Sequence, residues 1–125
     1  METSDPLQSI GIPGRPWGAA EKAQWRARQR KRRDYRDEVV TRVEMLRDRF
    51  DVAAYGSLDY AADGVFPLLA LRSRGWDEAL PTMLVTGGVH GYETSGVQGA
   101  LRFAEEDAAA FAGQANLLVV PCVSP

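Results

Sequence analysis

The residues of this chain best suited to chemistry are a histidine and a glutamate three positions apart, His90 and Glu93. His90 is the only histidine among the 125 residues. Imidazole and carboxylate are both zinc ligands, and catalytic zinc normally takes three protein ligands and one water. The pair is therefore half of a candidate zinc site, although a structural histidine followed by a glutamate at a helix N-terminus gives the same spacing.

A strand, a glycine turn and a helix are predicted around this pair. The apolar run Met83–Thr86 indicates a strand, and the glycines that follow at 87–88 allow a sharp turn. The helix is predicted from apolar residues spaced by four, three, four and three positions, which are Val97, Leu101, Ala104, Ala108 and Phe111. Gly113 is the expected C-terminal cap. The small residues Gly96, Gly99 and Ala100 predict a close approach of helix and sheet.

A second short apolar run, Leu117–Val120, completes a predicted β-α-β unit over residues 82–120 with a right-handed crossover. Continuous apolar runs of this length are typical of strands that are buried on both faces of a sheet. Functional sites in open α/β sheets lie beyond the carboxyl ends of the strands, which is where residues 87–93 fall.

Three segments are predicted along the chain: residues 1–18 irregular, residues 19–50 a long basic helix, and residues 51–125 an α/β domain. The helix has one apolar face, formed by Tyr35, Val39, Val43, Leu46 and Phe50. Two further runs, 50–58 and 65–72, predict a β-hairpin, in which Pro67 is compatible only with an edge position or a strand start.

The predicted basic helix contains a cluster, Arg26–Arg33, with six positive charges in eight positions. Such a cluster fits a nucleic-acid or anionic-membrane contact, or a solvated helix face. Asp34, Asp37 and Glu38 follow directly and offer ion-pair partners one helical turn away. Because the whole chain has a net charge of −2, we favour the solvated face and expect nucleic acid not to be a partner.

Composition narrows the class of protein further. A length of 125 residues and a hydrophobic fraction of 45% fit one globular domain. The single cysteine, Cys122, excludes an internal disulfide and suits a reducing compartment. The N-terminal residues lack a cationic stretch followed by an apolar run, and no apolar run approaches the roughly 20 residues of a membrane span. We therefore expect a cytoplasmic protein with no signal peptide and no membrane partner.

The passage Thr82–Gly99, together with Asn116–Pro125, resembles the N-terminal part of the catalytic domain of the zinc metallocarboxypeptidases. The related aspartoacylase and succinylglutamate desuccinylase deacylases share its strand–Gly–x–His–Gly–x–Glu–helix arrangement. The resemblance implies an α/β fold with a mixed, mostly parallel sheet flanked by helices on both faces. It also implies that His90 and Glu93 are the first two ligands of a Zn²⁺ cofactor. The implied reaction is hydrolysis of a C-terminal peptide or amide bond, with a peptide or an N-acyl amino acid as substrate.

The resemblance also implies groups that this chain lacks. The family's third zinc ligand is a second histidine, and its general-base glutamate and substrate-binding arginine belong to later parts of the domain. We therefore expect a truncated domain that binds zinc weakly, catalyses little and contains no catalytic residue beyond the ligands His90 and Glu93. Cys122 is a candidate substitute ligand, but we favour a buried apolar role for it. Tyr92 is expected to be a packing aromatic.

Three other interpretations remain open. In α/β-hydrolase esterases a His-Gly turn such as His90-Gly91 supplies oxyanion donors, but the Gly-x-Ser-x-Gly nucleophile motif is absent here. The chain could instead be a non-catalytic pseudoenzyme or binding module that uses its arginine-rich helix. Finally, it could be marginally stable and prone to aggregate, if Leu117–Val120 forms an exposed apolar sheet edge.

Overall fold

The computed structural model describes residues 9–125, which divide into two units, one ending at Arg32 and the other running from Arg33 to Pro125. In the first unit, residues 9–18 form turns and bends, and residues 1–8 of the predicted irregular segment lie outside the described residues. Within the described residues, no helix combines the length and the apolar character that crossing a membrane requires.

Helix α1 spans Ala19–Arg28 and belongs to the first unit. Its start is fixed by Glu21, whose carboxylate Oε2 accepts the backbone N–H of Gly18 at 2.8 Å. None of its residues is buried. Alanine, glutamate, lysine and arginine, which favour the helix intrinsically, make up most of its sequence, so local preference rather than packing accounts for this helix.

The prediction of one continuous helix over residues 19–50 is wrong. After α1 the chain is non-helical from 29 to 34, and a second helix, α2, consists of a π-helical turn at Arg36–Val40 and an α-helix at Thr41–Met45. Like charges three or four residues apart on a helix repel each other, which destabilises a continuous helix through the cluster Arg26–Arg33. Asp34 then starts the new helix, because its Oδ1 accepts the N–H groups of Arg36 and Asp37 at 2.8 and 3.1 Å.

The predicted apolar face of this region is nevertheless correct. Val39, Val43 and Leu46 are all buried in the main core of the second unit. Phe50 belongs to the same core, although it lies on a strand, because the helix ends at Met45 and a turn over 46–49 leads into the sheet. The periodic pattern thus identified the buried side chains correctly and misplaced the end of the helix.

Strands β1, Phe50–Asp59, and β2, Val65–Ser73, form the predicted antiparallel hairpin. Their register runs from Phe50 opposite Ser73 to Asp59 opposite Val65. The proline of β2, Pro67, lies where β2 has a neighbour on one side only, because the next strand pairs with β2 only at Leu71 and Arg72. The missing N–H of the proline is therefore tolerated, as predicted.

Strands β3, Thr82–Thr86, and β4, Asn116–Val120, complete a mixed four-stranded sheet in the order β1-β2-β4-β3. The predicted α/β class and mixed sheet are confirmed. The prediction that the sheet is mostly parallel is wrong, because β3 pairs with β4 in parallel while β1–β2 and β2–β4 are antiparallel. The pairing of β2 with β4 joins segments about 45 residues apart, and no local pattern specifies it.

Two further predictions about strands β3 and β4 are wrong. β3 is not buried on both faces: Met83 and Val85 pack against the core, whereas Leu84 points the other way and is 61% exposed. β4 is not an exposed edge, because β2 and β3 flank it and Leu117 and Val119 are almost fully buried. The physical basis for expecting aggregation through β4 is therefore absent.

Helix α3 runs through Thr94–Arg102, a π-helical turn at Phe103–Asp107 and a 3₁₀ turn at Ala108–Phe111, close to the predicted limits. The predicted cap, Gly113, has a φ of +75°. Helices α2 and α3 contribute to one core against the same face of the sheet. They are joined by Arg42, whose guanidinium donates to both carboxylate oxygens of Glu105 at 2.9 Å and to the side chain of Gln98.

Candidate metal centre

The candidate site begins where the parallel strands β3 and β4 continue past their regular ends. The N–H of Gly87 donates to the carbonyl of Val120, and the N–H groups of Val123 and Ser124 donate to the carbonyls of Gly87 and Gly88, all at 2.9 Å. The turn that carries His90 is therefore tied to the chain after β4 by backbone hydrogen bonds.

Gly88 shows why this turn requires glycine. Its φ is +61°, a conformation that residues with a side chain rarely adopt. A Cβ added there would lie 2.7 Å from Cγ2 of Val97 on α3 and 3.0 Å from Sγ of Cys122 after β4. The glycine thus lets strand, helix and the chain after β4 meet closely, which fixes the position of the residues that follow.

Helix α3 approaches the turn as predicted at Gly96, whose added Cβ would lie 3.3 Å from the backbone nitrogen of Gly88. The parallel prediction for Gly99 is wrong, because no atom lies within 4 Å of the corresponding position there. Of the three small residues, Gly96 approaches the turn and Ala100 is buried in the core, whereas Gly99 faces open space.

The structure brings the two predicted ligands together. Nδ1 of His90 lies 3.6 Å from Oε1 of Glu93, and their side chains are 59% and 60% exposed. A backbone hydrogen bond of 2.9 Å from the N–H of Glu93 to the carbonyl of His90 closes the turn between them. Glu93 occupies the N-cap position of α3, but its side chain makes no capping hydrogen bond. Glu93 is therefore not explained by a capping hydrogen bond, although a carboxylate at this helix N-terminus is favoured by the helix dipole.

The pair fits two neighbouring positions of a tetrahedral zinc site. Zinc bonds to histidine nitrogen and carboxylate oxygen are about 2.0–2.2 Å long, which at a tetrahedral angle separates the two donors by about 3.4 Å. The observed distance of 3.6 Å between Nδ1 of His90 and Oε1 of Glu93 lies close to this value. This distance is compatible with two ligands of one ion and equally with a direct contact between the imidazole and the carboxylate.

The set of donors is incomplete within the described part of the chain. Among residues 9–125, no group of three or more His, Cys, Asp and Glu side chains is arranged to hold a metal ion. Cys122 is only 5% exposed and belongs to the apolar core, and burial raises the pKa of its thiol. A buried, protonated thiol is a poor zinc ligand, which supports the packing role favoured for Cys122.

His90 and Glu93 line a cleft of about 300 Å³ at the carboxyl end of β3. Thr86, at the end of β3, and Ser95, in the first turn of α3, line the same cleft. Neither residue was predicted from the sequence, since isolated hydroxyl residues carry no pattern. The position of Thr86 at the end of a strand is the only signal that could have identified it.

Tyr92, expected to be a packing aromatic, is instead 84% exposed. Its ring centroid lies 6.1 Å from that of His90. Val89 is 61% exposed on the same turn. Val89, which lines the cleft, and Tyr92 on the same turn are thus both exposed.

Proteins with a similar fold occur among solved structures. No protein-family model matches the chain, and no curated protein matches it. Two solved structures of proteins named as candidate metallopeptidases are similar, one from Shewanella amazonensis SB2B (27% identity, TM-score 0.57) and one from Shewanella denitrificans OS217 (26% identity, TM-score 0.55). Each match covers 73% of this chain and 32% of the other. The fold is metallopeptidase-like.

A third structure, of a protein from Shewanella baltica OS155 with a similar name, matches at 23% identity and a TM-score of 0.55 and supports the fold alone. The chain spans about a third of the length of the structures it matches. The similarity therefore shows a metallopeptidase-like fold for this part of the matched structures.

Proposed function

We propose that this chain carries the first two metal ligands of a zinc-dependent hydrolase of the metallocarboxypeptidase type. His90 and Glu93 would hold the zinc ion, and the substrate would be a peptide cleaved at its C-terminal bond. The observation that carries this proposal is the 3.6 Å separation of Nδ1 of His90 from Oε1 of Glu93 in a cleft at the carboxyl end of β3. The similarity to candidate metallopeptidases supports the same reaction class.

Bound zinc would supply a water of lowered pKa, about 7, and would polarise the scissile carbonyl. The described residues contribute to this chemistry by binding and positioning. The glycine turn fixes the backbone of His90, and α3 fixes that of Glu93. Since residues 9–125 provide no third ligand, we expect them to bind zinc weakly and to catalyse little hydrolysis on their own.

A deacylase of the aspartoacylase or desuccinylase type is the second candidate, because it shares the same first two ligands. Its substrate would be an N-acyl amino acid rather than a peptide. The cleft, of about 300 Å³, does not by itself distinguish the two substrate classes. We also propose a cytoplasmic location, which suits a chain whose single cysteine is a free, buried thiol.

Zinc binding by the purified chain tests the ligand proposal. Competition with a chromophoric chelator would give the zinc affinity of the wild type and of the His90→Ala and Glu93→Gln variants. We expect each substitution to weaken binding by more than about tenfold, since even loss of an outer-shell partner costs about 10–100-fold.

Glu106→Gln is the matched control for Glu93→Gln. Glu106 is also an exposed glutamate of α3's helical segment, and it pairs with Arg102 at 2.8 Å, away from the cleft. Its loss should leave the zinc affinity unchanged. Equal affinities of the wild type and the His90→Ala variant would contradict the proposal.

A further inference from the structure

Residues 22–32 form a cationic segment whose surroundings differ from those predicted. Its six cations are Lys22, Arg26, Arg28, Arg30, Lys31 and Arg32. The described part of the first unit, residues 9–32, contains seven basic residues and one acidic residue, Glu21, for a net charge of +6. Residues 33–125 contain eight basic and fourteen acidic residues, for a net charge of −6. The excess of positive over negative charge is thus confined to residues 9–32.

The solvated helix face was favoured because the whole chain has a net charge of −2 and because acidic residues follow the cluster within one helical turn. In the structure α1 ends at Arg28, and Asp37 and Glu38 belong to α2 instead of continuing the same helix. Asp34 caps α2 through two backbone N–H groups, and Glu38 pairs with Arg33 at 3.2 Å. The cations of the segment and these carboxylates therefore do not share one continuous helix.

An exposed aromatic ring lies among these cations. Trp25 is 50% exposed on α1, and helical spacing places Lys22 and Arg28, three residues away on either side, on the same face. The opposite face carries small side chains, those of Ala20, Ala23 and Ala27. A helix that inserts into a lipid surface needs large apolar residues opposite its charged face. The arrangement in α1 therefore disfavours a membrane.

A cationic surface that presents an aromatic ring among its charges suits single-stranded nucleic acid. Arginine pairs with phosphate oxygens through two parallel hydrogen bonds, and bases stack on exposed aromatic rings whatever their sequence. Four of the six cations of the segment are arginines. We propose that residues 22–32 bind single-stranded nucleic acid without sequence preference, with Trp25 stacking on a base and the surrounding cations contacting phosphates.

Binding of the full chain to a fluorescent 20-nucleotide oligothymidylate tests this proposal by anisotropy over a series of salt concentrations. Each single-strand phosphate that is neutralised contributes about −0.7 to the slope of log K against log salt concentration, so six contacts give about −4. The triple variant Arg30→Gln/Lys31→Gln/Arg32→Gln should reduce the slope to about −2. No binding at low salt would overturn the proposal.

A charge-matched control separates a local contact from the effect of net charge. The variant Arg47→Gln/Arg72→Gln/Arg102→Gln removes three exposed arginines from residues 33–125 and changes the net charge equally. It should leave affinity and slope close to those of the wild type. If both triple variants weaken binding equally, the segment has no special role and the proposal fails.

Substitutions of Trp25 test whether its indole ring stacks on a base. Trp25→Ala should weaken binding by about tenfold, since stacking of one base is worth about 1–3 kcal/mol, whereas Trp25→Phe should retain most of the affinity. Vesicles containing phosphatidylserine provide the alternative partner. If the chain binds these vesicles and not the oligothymidylate, the partner is a lipid surface and the proposal is overturned. Zinc binding by His90 is independent of each of these outcomes.

Discussion

Residues 33–125 and residues 9–32 are folded by different means. The first region buries the apolar faces of two helices against one face of a sheet, and its core includes fully buried side chains such as Val43, Leu71 and Leu101. The second contains a helix without a single buried residue and leaves Trp17 and Trp25 about half exposed. The difference shows that residues 33–125 are stabilised by packing, whereas the helix of residues 9–32 leaves its side chains exposed to solvent.

Truncation of a core residue should give the largest contrast between the two regions. Leu101, on α3, has no exposed surface, so Leu101→Ala should lower the free energy of unfolding by about 3 kcal/mol through lost burial and a cavity. Trp25→Ala removes a larger side chain from an exposed position and should change it by less than about 0.5 kcal/mol. Urea unfolding measures both. Similar losses would mean that α1 is packed as tightly as α3.

A pair of glycine substitutions compares the site with the rest of its helix. Gly88→Ala combines a positive φ with a contact of 2.7 Å to Val97 and should cost about 2–4 kcal/mol of unfolding free energy. Gly99→Ala places its methyl group in open space on α3 and should stabilise the protein by about 0.5–1 kcal/mol. Thermal unfolding would show opposite shifts. Equal effects would contradict the tight packing described at the turn.

The smallest effect concerns the ion pair that joins α2 to α3. The two hydrogen bonds from Arg42 hold the pKa of Glu105 below its usual range. This pair is then expected to stabilise the fold by about 1 kcal/mol above pH 4.3, the ordinary glutamate pKa. That contribution is lost as the pH falls through the lower pKa of the folded state. Glu105→Gln should therefore flatten the decline in stability between neutral and acidic pH.

The control for this prediction is Glu106→Gln, which removes an exposed ion pair with Arg102. Unfolding free energies measured at pH 7 and at pH 3 would compare the two variants with the wild type. If Glu105→Gln and Glu106→Gln respond to pH alike, the half-buried position of the Arg42–Glu105 pair has no energetic consequence.

Local patterns predicted most of the fold of residues 33–125. The apolar spacing of α3 and of Val39, Val43 and Leu46 reports burial directly, so those faces were correct. The break between α1 and α2 was missed because it depends on Asp34 capping a new helix in preference to extending the old one. The antiparallel pairing of β2 with β4 was missed because it is non-local.

The candidate metal site was also predictable only in part. Two residues three positions apart at the end of a strand were expected to meet, and His90 and Glu93 do. The hydroxyls of Thr86 and Ser95 carry no pattern, and the exposure of Tyr92 depends on which surfaces the rest of the molecule covers. Sequence therefore indicates which side chains meet at a turn better than it indicates the shape of the cleft around them.

The most direct test of the central claim uses the fact that this chain has one histidine. With ¹⁵N-labelled histidine, NMR resolves the Nδ1 and Nε2 signals of His90 without ambiguity. We predict that added zinc shifts Nδ1 into the range of a metal-bound nitrogen, leaves Nε2 protonated, and does so far less in Glu93→Gln. Unchanged signals, or binding through Nε2 alone, would contradict a site built from Nδ1 of His90 and the carboxylate of Glu93.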